Sequence, residues 1–156
     1  MSEGIVTFLA SFLIWIMYFG LGILWLVDGR IKKETALHAL FASILAWTLA
    51  EIIKSLIPSI RPFSQNGLTP LTLTVPIGNA FPSGHSALAF ALGVSIWLHN
   101  KNWGIIFILL ALGVGIGRVL GNVHSPIDIL GGALIGILSA ITVKQVHLFK
   151  IMSSKK

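Results

Sequence analysis

Lys54, Arg61 and Arg118 are cations placed at or beside the ends of long apolar runs, with no equal number of carboxylates near them in the chain. Charge at membrane depth is costly and turns toward the interior of a helix bundle. Three such cations imply an anion that the chain does not itself contain. A phosphate fits, because arginine offers planar bidentate donors and lysine a point charge. Pro82-Ser83-Gly84-His85 opens another apolar run. Free backbone N–H groups at a helix start bind phosphate with help from the helix dipole, and glycine lets a ligand approach the backbone closely. The same tetrapeptide reads equally well as a plain helix start with Ser83 as its N-cap.

His124 and Asp128 are four residues apart, so one helical turn brings them together. A carboxylate on one ring nitrogen fixes the tautomer and leaves the other nitrogen free to attack. Two other readings stand beside this one. Ser125-Pro126-Ile127-Asp128 resembles a capping box with proline at the first helical position. His85, His124 and Asp128 could also form a metal site, although three adjacent cations would repel the metal. Glu51, three residues before Lys54, is placed to neutralise it. His38, His99 and His147 sit near helix ends and read as interfacial side chains without chemistry.

The elements that must position these residues follow from composition. Of 156 residues, 55% are hydrophobic and only 10% are charged, with a mean hydropathy of +0.91. A soluble domain carries about 25% charged residues, so these values argue against a soluble fold. The length allows one domain over residues 1–156. Cysteine is absent, which removes disulfides, iron–sulfur clusters and thiolate zinc sites. The formal charge of +6 would suggest nucleic acid in a soluble chain. Here the basic residues fall between apolar runs and read as membrane topology, with no nucleic-acid partner.

A membrane-crossing helix needs about 20 mainly apolar residues. Apolar runs cover Ile5 to Val27, Ala36 to Ile57, Ser83 to Leu98, Trp103 to Leu120, and Pro126 to about Val146. They predict an all-α, polytopic membrane bundle of about five transmembrane helices. The joints are 28–35 (DGRIKKET), the Pro/Thr/Gly/Asn-rich stretch 63–82, residues 99–102, and residues 120–125. The last three runs are short, and so would tilt or start below the membrane surface. Gly113, Gly117 and Gly121, and Gly132, Gly136 and Ala140, form stripes of small residues that permit close helix packing. Trp25, Trp97 and Trp103 read as belt residues at the inner interface.

An odd number of alternating spans puts Arg30, Lys32, Lys33, Lys101, Lys144, Lys150, Lys155 and Lys156 on one side. Only Lys54, Arg61 and Arg118 belong to the other. The positive-inside rule makes the first side cytoplasmic, with the N-terminus outside and the C-terminus inside. Alternation also brings Lys54, Arg61, Ser83-Gly84-His85, Arg118, His124 and Asp128 to one extracytoplasmic face.

Lys54-x6-Arg61-Pro62, then Pro82-Ser83-Gly84-His85, then Arg118-x5-His124-x3-Asp128, resembles the type 2 phosphatidic acid phosphatase family of membrane lipid phosphatases, related in active site to acid phosphatases and vanadium haloperoxidases. The resemblance spans residues 54–128. It implies that His124 attacks phosphorus to form a phosphohistidine, Asp128 orients His124, and His85 protonates the leaving oxygen. Lys54, Arg61, Arg118 and the Ser83-Gly84 backbone would hold the phosphoryl oxygens. No metal or other cofactor is implied. The substrate would be a lipid phosphate: a polyprenyl diphosphate, phosphatidic acid or phosphatidylglycerophosphate. The family usually has serine before the third-motif arginine, where this chain has Gly117. Its commonest membrane members have six helices, so the flank exposed by a missing first helix would be covered by lipid or by a second copy in a homodimer. Rival readings are a non-catalytic protein that binds or moves lipid phosphates, and a lipid phosphotransferase. The former would not need both histidines and Asp128.

The orientation is open to direct test. A Ser2→Cys variant should react with an impermeant thiol reagent in intact cells. Labelling only after permeabilisation would reverse the assignment.

Overall fold

The computed structural model describes residues 2–27 and 30–145. Glu3–Thr7, a π-helical turn at Phe8–Phe12, and Leu13–Val27 run on as one helix, α1. It is followed by α2 (Arg30–Leu56), a short α3 (Pro62–Asn66), α4 (Gly84–His99), α5 (Lys101–Leu120) and α6 (Pro126–Gln145). Among the described residues no strand occurs, and four helical stretches are long and apolar enough to cross a membrane: Glu3–Leu26, Lys33–Leu56, Lys101–Leu120 and Pro126–Gln145. α4 has 16 residues. At 1.5 Å per residue it is about 24 Å long, short of the ~30 Å hydrocarbon core.

Two joints differ from expectation. The charged stretch 28–35 does not interrupt structure up to residue 35, because α2 already begins at Arg30. Arg, Lys and Glu are good helix formers, and loss of hydrophobicity there marks the end of apolar character rather than of the helix. His38 consequently lies in the third turn of α2, not the first. It is buried, and its ring stacks on His99 at 4.9 Å. The joint 99–102 shrinks to Asn100, whose side chain caps α5 by accepting from the backbone N–H groups of Asn102 and Trp103. His147, Val146, Lys150, Lys155 and Lys156 lie outside the described residues, as does the Asp28-Gly29 pair.

α4 is the central helix, packed against α2, α5 and α6. Its neighbours come close because the contact surfaces are small. Ala42, Ala46 and Ala50 of α2 meet Ala87 and Ala91 of α4 and Ala140 of α6 in one buried cluster. A second cluster joins Leu13, Ile14, Met17, Leu21 and Leu24 of α1 to Leu92 and Ile96 of α4 and Phe107, Ala111 and Val114 of α5. The two glycine stripes serve different partners. Gly132 and Gly136 lie on the α4 backbone, whereas Gly113 and Gly117 receive α1. The outward faces carry exposed Trp15, Phe19, Leu109 and Leu130, as lipid contact requires. The first part of α1, residues 3–12, packs on α5 and makes no close backbone approach to α2.

Gly136 tests this packing. A Cβ there would lie 2.5 Å from the Ala87 carbonyl oxygen and 2.8 Å from the Ala91 nitrogen. Gly136→Leu should destabilise the detergent-solubilised protein by about 1–3 kcal/mol, the usual cost of overpacking. Leu134→Ala, on the exposed face of the same helix, should leave the thermal midpoint near wild type. Equal midpoints for Gly136→Leu and wild type would show that α4 and α6 do not pack backbone to backbone.

Candidate active site

A cavity of about 270 Å³ opens at the end of the bundle where α2 and α5 finish and α4 and α6 begin. Lys54, Arg61, Gly84, His85, Arg118 and His124 line it, together with Glu51, Trp47, Pro76, Ile77 and Leu88. Ser83 and Asp128 stand directly behind this lining, both buried. The three separated motifs therefore meet in one place. Trp47, Glu51 and Lys54 reach it from one face of α2, at helical spacing of four and three residues. A larger groove of about 340 Å³, bounded by Phe90 and by apolar residues of α5 and α6, contains no titratable side chain.

Backbone hydrogen bonds explain why the motif spacings work. The carbonyl of Arg118 accepts from the N–H groups of both Val123 and His124, each at 3.3 Å. Arg118 and His124 are thus tied across the end of α5. Asn122 makes the turn with φ of 60°, a left-handed conformation that asparagine tolerates better than most residues. Its side chain exchanges two hydrogen bonds with Asn66, of 2.9 and 3.0 Å, and its carbonyl accepts from Phe63 N–H. The carbonyl of Asp128 accepts from Ser83 N–H at 2.9 Å, joining the starts of α4 and α6.

Asp128 caps its own helix and also faces the His124 ring. Its Oδ2 accepts from Ser125 N–H at 2.7 Å, which is a cap at the start of α6. The same oxygen lies 3.6 Å from His124 Nδ1. That is too long for a hydrogen bond. On the other side of the ring, Nε2 is 3.5 Å from Arg61 Nη1. A proton on Nδ1 would face the carboxylate and leave the Nε2 lone pair toward the cations. Burial lowers the His124 pKa to about 4, helped by the positive charges of Arg118 and Arg61 and opposed by Asp128. A pKa in that range leaves the ring neutral at pH 7.

The cations are held in three different ways. Lys54 Nζ donates to Glu51, the pairing expected from their spacing. Gly84 permits this pair to reach the start of α4, since a Cβ there would sit 3.3 Å from Glu51 Oε1 and 3.7 Å from Lys54 Nζ. Arg61 donates to backbone carbonyls throughout: Nε to Gly78 at 2.9 Å, Nη1 to Val123 at 3.2 Å, and Nη2 to Ile77 at 3.2 Å and Asn79 at 3.0 Å. Burial lowers its pKa, yet it remains a guanidinium. It bolts the 77–79 segment to the His124 turn, a duty that the sequence did not suggest. Arg118 donates from Nη1 to the Ala10 carbonyl at 3.2 Å, and its Nε is buried without a partner among the described residues.

Ser83 accepts from Ser86 N–H at 3.4 Å and from Ser86 Oγ at 3.2 Å, so it does act as an N-cap. Among the described residues, no group of three His, Asp or Glu side chains is placed to hold a metal ion. Trp47 and Leu88 were not singled out from sequence. Their position one or two turns along the helix from Lys54 and His85 was the only available signal.

Comparison with known proteins agrees with this geometry. Residues 35–152 match the model of the PAP2 superfamily. The chain is 34% identical over 143 residues to the bacitracin transport permease protein BcrC of Bacillus licheniformis, covering 92% of this chain and 70% of that one. It is 28% identical over 135 residues to an undecaprenyl-diphosphatase of Sulfolobus acidocaldarius, covering 86% of this chain and 65% of that protein. The crystal structure of a transmembrane PAP2 type phosphatidylglycerolphosphate phosphatase from Bacillus subtilis superposes with a TM-score of 0.62 at 28% identity, over 92% of this chain and 73% of the other. The matched region contains all three motifs and every helix from α2 onward, and on that ground the chain belongs to the PAP2 superfamily.

Proposed function

We propose that this protein is a multi-pass membrane lipid phosphatase that removes a terminal phosphoryl group through a phosphohistidine on His124. The observation that carries the reading is the buried His124 beside a cavity lined by Lys54, Arg61 and Arg118. An entering phosphoryl group supplies the missing anion. Its oxygens meet Lys54, Arg118 and the first N–H groups of α4, where the helix dipole adds to the attraction. Arg61 contributes charge to the cavity wall while its N–H groups hold the backbone.

His124 Nε2 attacks phosphorus. An N–P bond forms as the bond from phosphorus to its bridging oxygen breaks, which releases a lipid monophosphate from a diphosphate or a lipid alcohol from a monoester. Asp128 stabilises the imidazolium-like ring through Nδ1, as a carboxylate behind a catalytic histidine does. A proton that arrives with the phosphoryl monoanion is taken up by His85 and passed to the leaving oxygen. Water then attacks the phosphohistidine, and His85 takes the proton released. The charge stabilisation comes from side chains and backbone, so the reaction needs no metal.

A lipid substrate suits the surroundings. Trp47 lines the cavity while half of its surface is exposed. The first part of α1 stands away from α2 on that side. A lipid chain could leave the cavity past Trp47 and Leu88 into the bilayer. The relative named as an undecaprenyl-diphosphatase favours a polyprenyl diphosphate among the candidate lipids. The cavity lies at the end of the bundle opposite Lys101 and Lys144, which the positive-inside rule makes extracytoplasmic. One relative bears the name of a transport permease, which suits a protein that binds or moves lipid phosphates. Such a protein has no use for a buried histidine–carboxylate pair, so the same experiment separates the two readings.

His124→Ala and His85→Ala should be compared on a lipid phosphate and on p-nitrophenyl phosphate, in one detergent and with chelator present. His124→Ala should abolish phosphoenzyme and turnover on both. General acid catalysis is worth about 10²–10⁴-fold where the leaving oxygen needs a proton. His85→Ala should therefore lose far more activity on the lipid alkoxide than on nitrophenolate. Substantial turnover by His124→Ala would eliminate the covalent route. Wild-type binding without phosphate release would favour the transport reading, and rescue by a divalent metal would favour metal chemistry.

The pH dependence has a definite sign. His124 is protonated, and its lone pair lost, only as pH falls through about 4. The acidic limb of phosphoenzyme formation from free enzyme should lie near that value. A limb at the ordinary histidine value of about 6.5 would mean that the ring is not buried among cations as described.

A further inference from the structure

We propose that the π-helical turn of α1 is the positioning device for both arginines of the site. The inference rests on the phosphate-site reading above and concerns a helix that the family match, which begins at residue 35, does not include. π turns are rare, and they occur mostly as single-turn bulges at functional sites. This one, Phe8–Phe12, lies where α1 crosses the end of α5.

Two hydrogen bonds leave it toward the site. The Ala10 carbonyl accepts from Arg118 Nη1 at 3.2 Å, across 108 positions of sequence. The widened turn thereby presents an acceptor sideways, and that acceptor fixes one arm of the guanidinium. That bond restricts the orientations open to the planar fork and its remaining donors. One residue further on, Ser11 Oγ accepts from Leu73 N–H at 3.0 Å. Leu71 N–H is bonded to the Gly121 carbonyl. The segment anchored by these two bonds continues to Ile77, Gly78 and Asn79, whose carbonyls hold Arg61.

Gly117 makes the approach possible. A Cβ at this position would lie 2.6 Å from the Ala10 nitrogen, 2.6 Å from the Leu9 carbonyl carbon and 2.7 Å from Leu9 Cβ. Two of these are backbone atoms, which cannot turn aside as a flexible side chain would. The serine usual at this place in the family would therefore push α1 off α5. In this chain the hydroxyl is replaced by the neighbouring helix, which steers Arg118 from behind instead of adding a contact to the phosphate. Gly117 and Ser11 are positioning residues, since neither lines the cavity.

The test measures inhibition by inorganic vanadate and the KM and kcat of purified full-length protein. The variants are Gly117→Ala, Gly117→Ser and Ser11→Ala, each checked for an unchanged thermal midpoint. Both Gly117 variants should raise the vanadate inhibition constant and KM at least tenfold, with a smaller change in kcat. Ser11→Ala should raise them a few-fold. Ser11→Ala removes one hydroxyl without crowding, so it decides the matter if the Gly117 variants do not fold. Tighter vanadate inhibition in Gly117→Ser would mean that the serine acts on phosphate directly and would overturn the proposal. So would wild-type constants in Ser11→Ala together with wild-type constants, or failure to fold, in the Gly117 variants. A wild-type protein indifferent to vanadate and to inorganic phosphate would instead refute the phosphate site itself.

Discussion

Concentrated positive charge inside a membrane bundle is the constraint on which this structure depends. Lys54, Arg61 and Arg118 share one cavity, and Glu51 is the single carboxylate lining it. Such a cluster is unfavourable unless each charge has a partner. The chain satisfies them unequally. Lys54 is paired with an acid. Arg61 is wrapped by carbonyls from two segments. Arg118 receives one carbonyl from α1 and keeps a donor without a partner among the described residues. Carbonyl dipoles hold a guanidinium without cancelling its net charge, so the cavity stays electropositive. Burial, helped by that residual field, holds the His124 pKa low, and the field favours an anion.

The same economy of partners appears in the backbone. Peptide groups in a bilayer must find hydrogen bonds within the protein. Here the groups freed at helix ends are used to join one motif to another. The last turn of α5 holds Val123 and His124 through the Arg118 carbonyl, and the start of α6 holds the start of α4 through the Asp128 carbonyl and Ser83 N–H. Asp128 also closes its own helix start through Ser125 while facing His124. One carboxylate oxygen thus caps α6 and lies opposite the imidazole.

Small residues set the distances. Hydrophobic attraction between helices is weak in lipid, so close packing must come from shape. Alanines and glycines let α2 and α6 lie against α4, which brings Lys54, His85 and Asp128 within reach of one cavity. Gly113 and Gly117 do the same for α1 against α5. Replacing such a residue alters the geometry of the site even though it touches no ligand.

The apolar runs, the helix-start residues and the one-sided grouping of cations were legible in the sequence, because each depends on local spacing or on hydropathy. Lys54 with Glu51 follows from a separation of three residues along a helix, whereas Ser83 caps α4 from outside it and His124 faces Asp128 from the turn before α6. The early start of α2 was missed because falling hydropathy was read as the end of a helix, although helix propensity continued through the charged residues. The contacts of the two arginines were not legible at all. Arg61 is held by carbonyls 16 to 18 residues away and by Val123, and Arg118 by Ala10. A backbone carbonyl has the same chemistry at every residue, so no side-chain pattern marks the one that will be used. Residue types and local periodicity determined which groups this protein would gather. Only the packing of α1 and of the 68–79 segment decided which way those groups point, since that depends on acceptors far apart in the chain being carried to the same place.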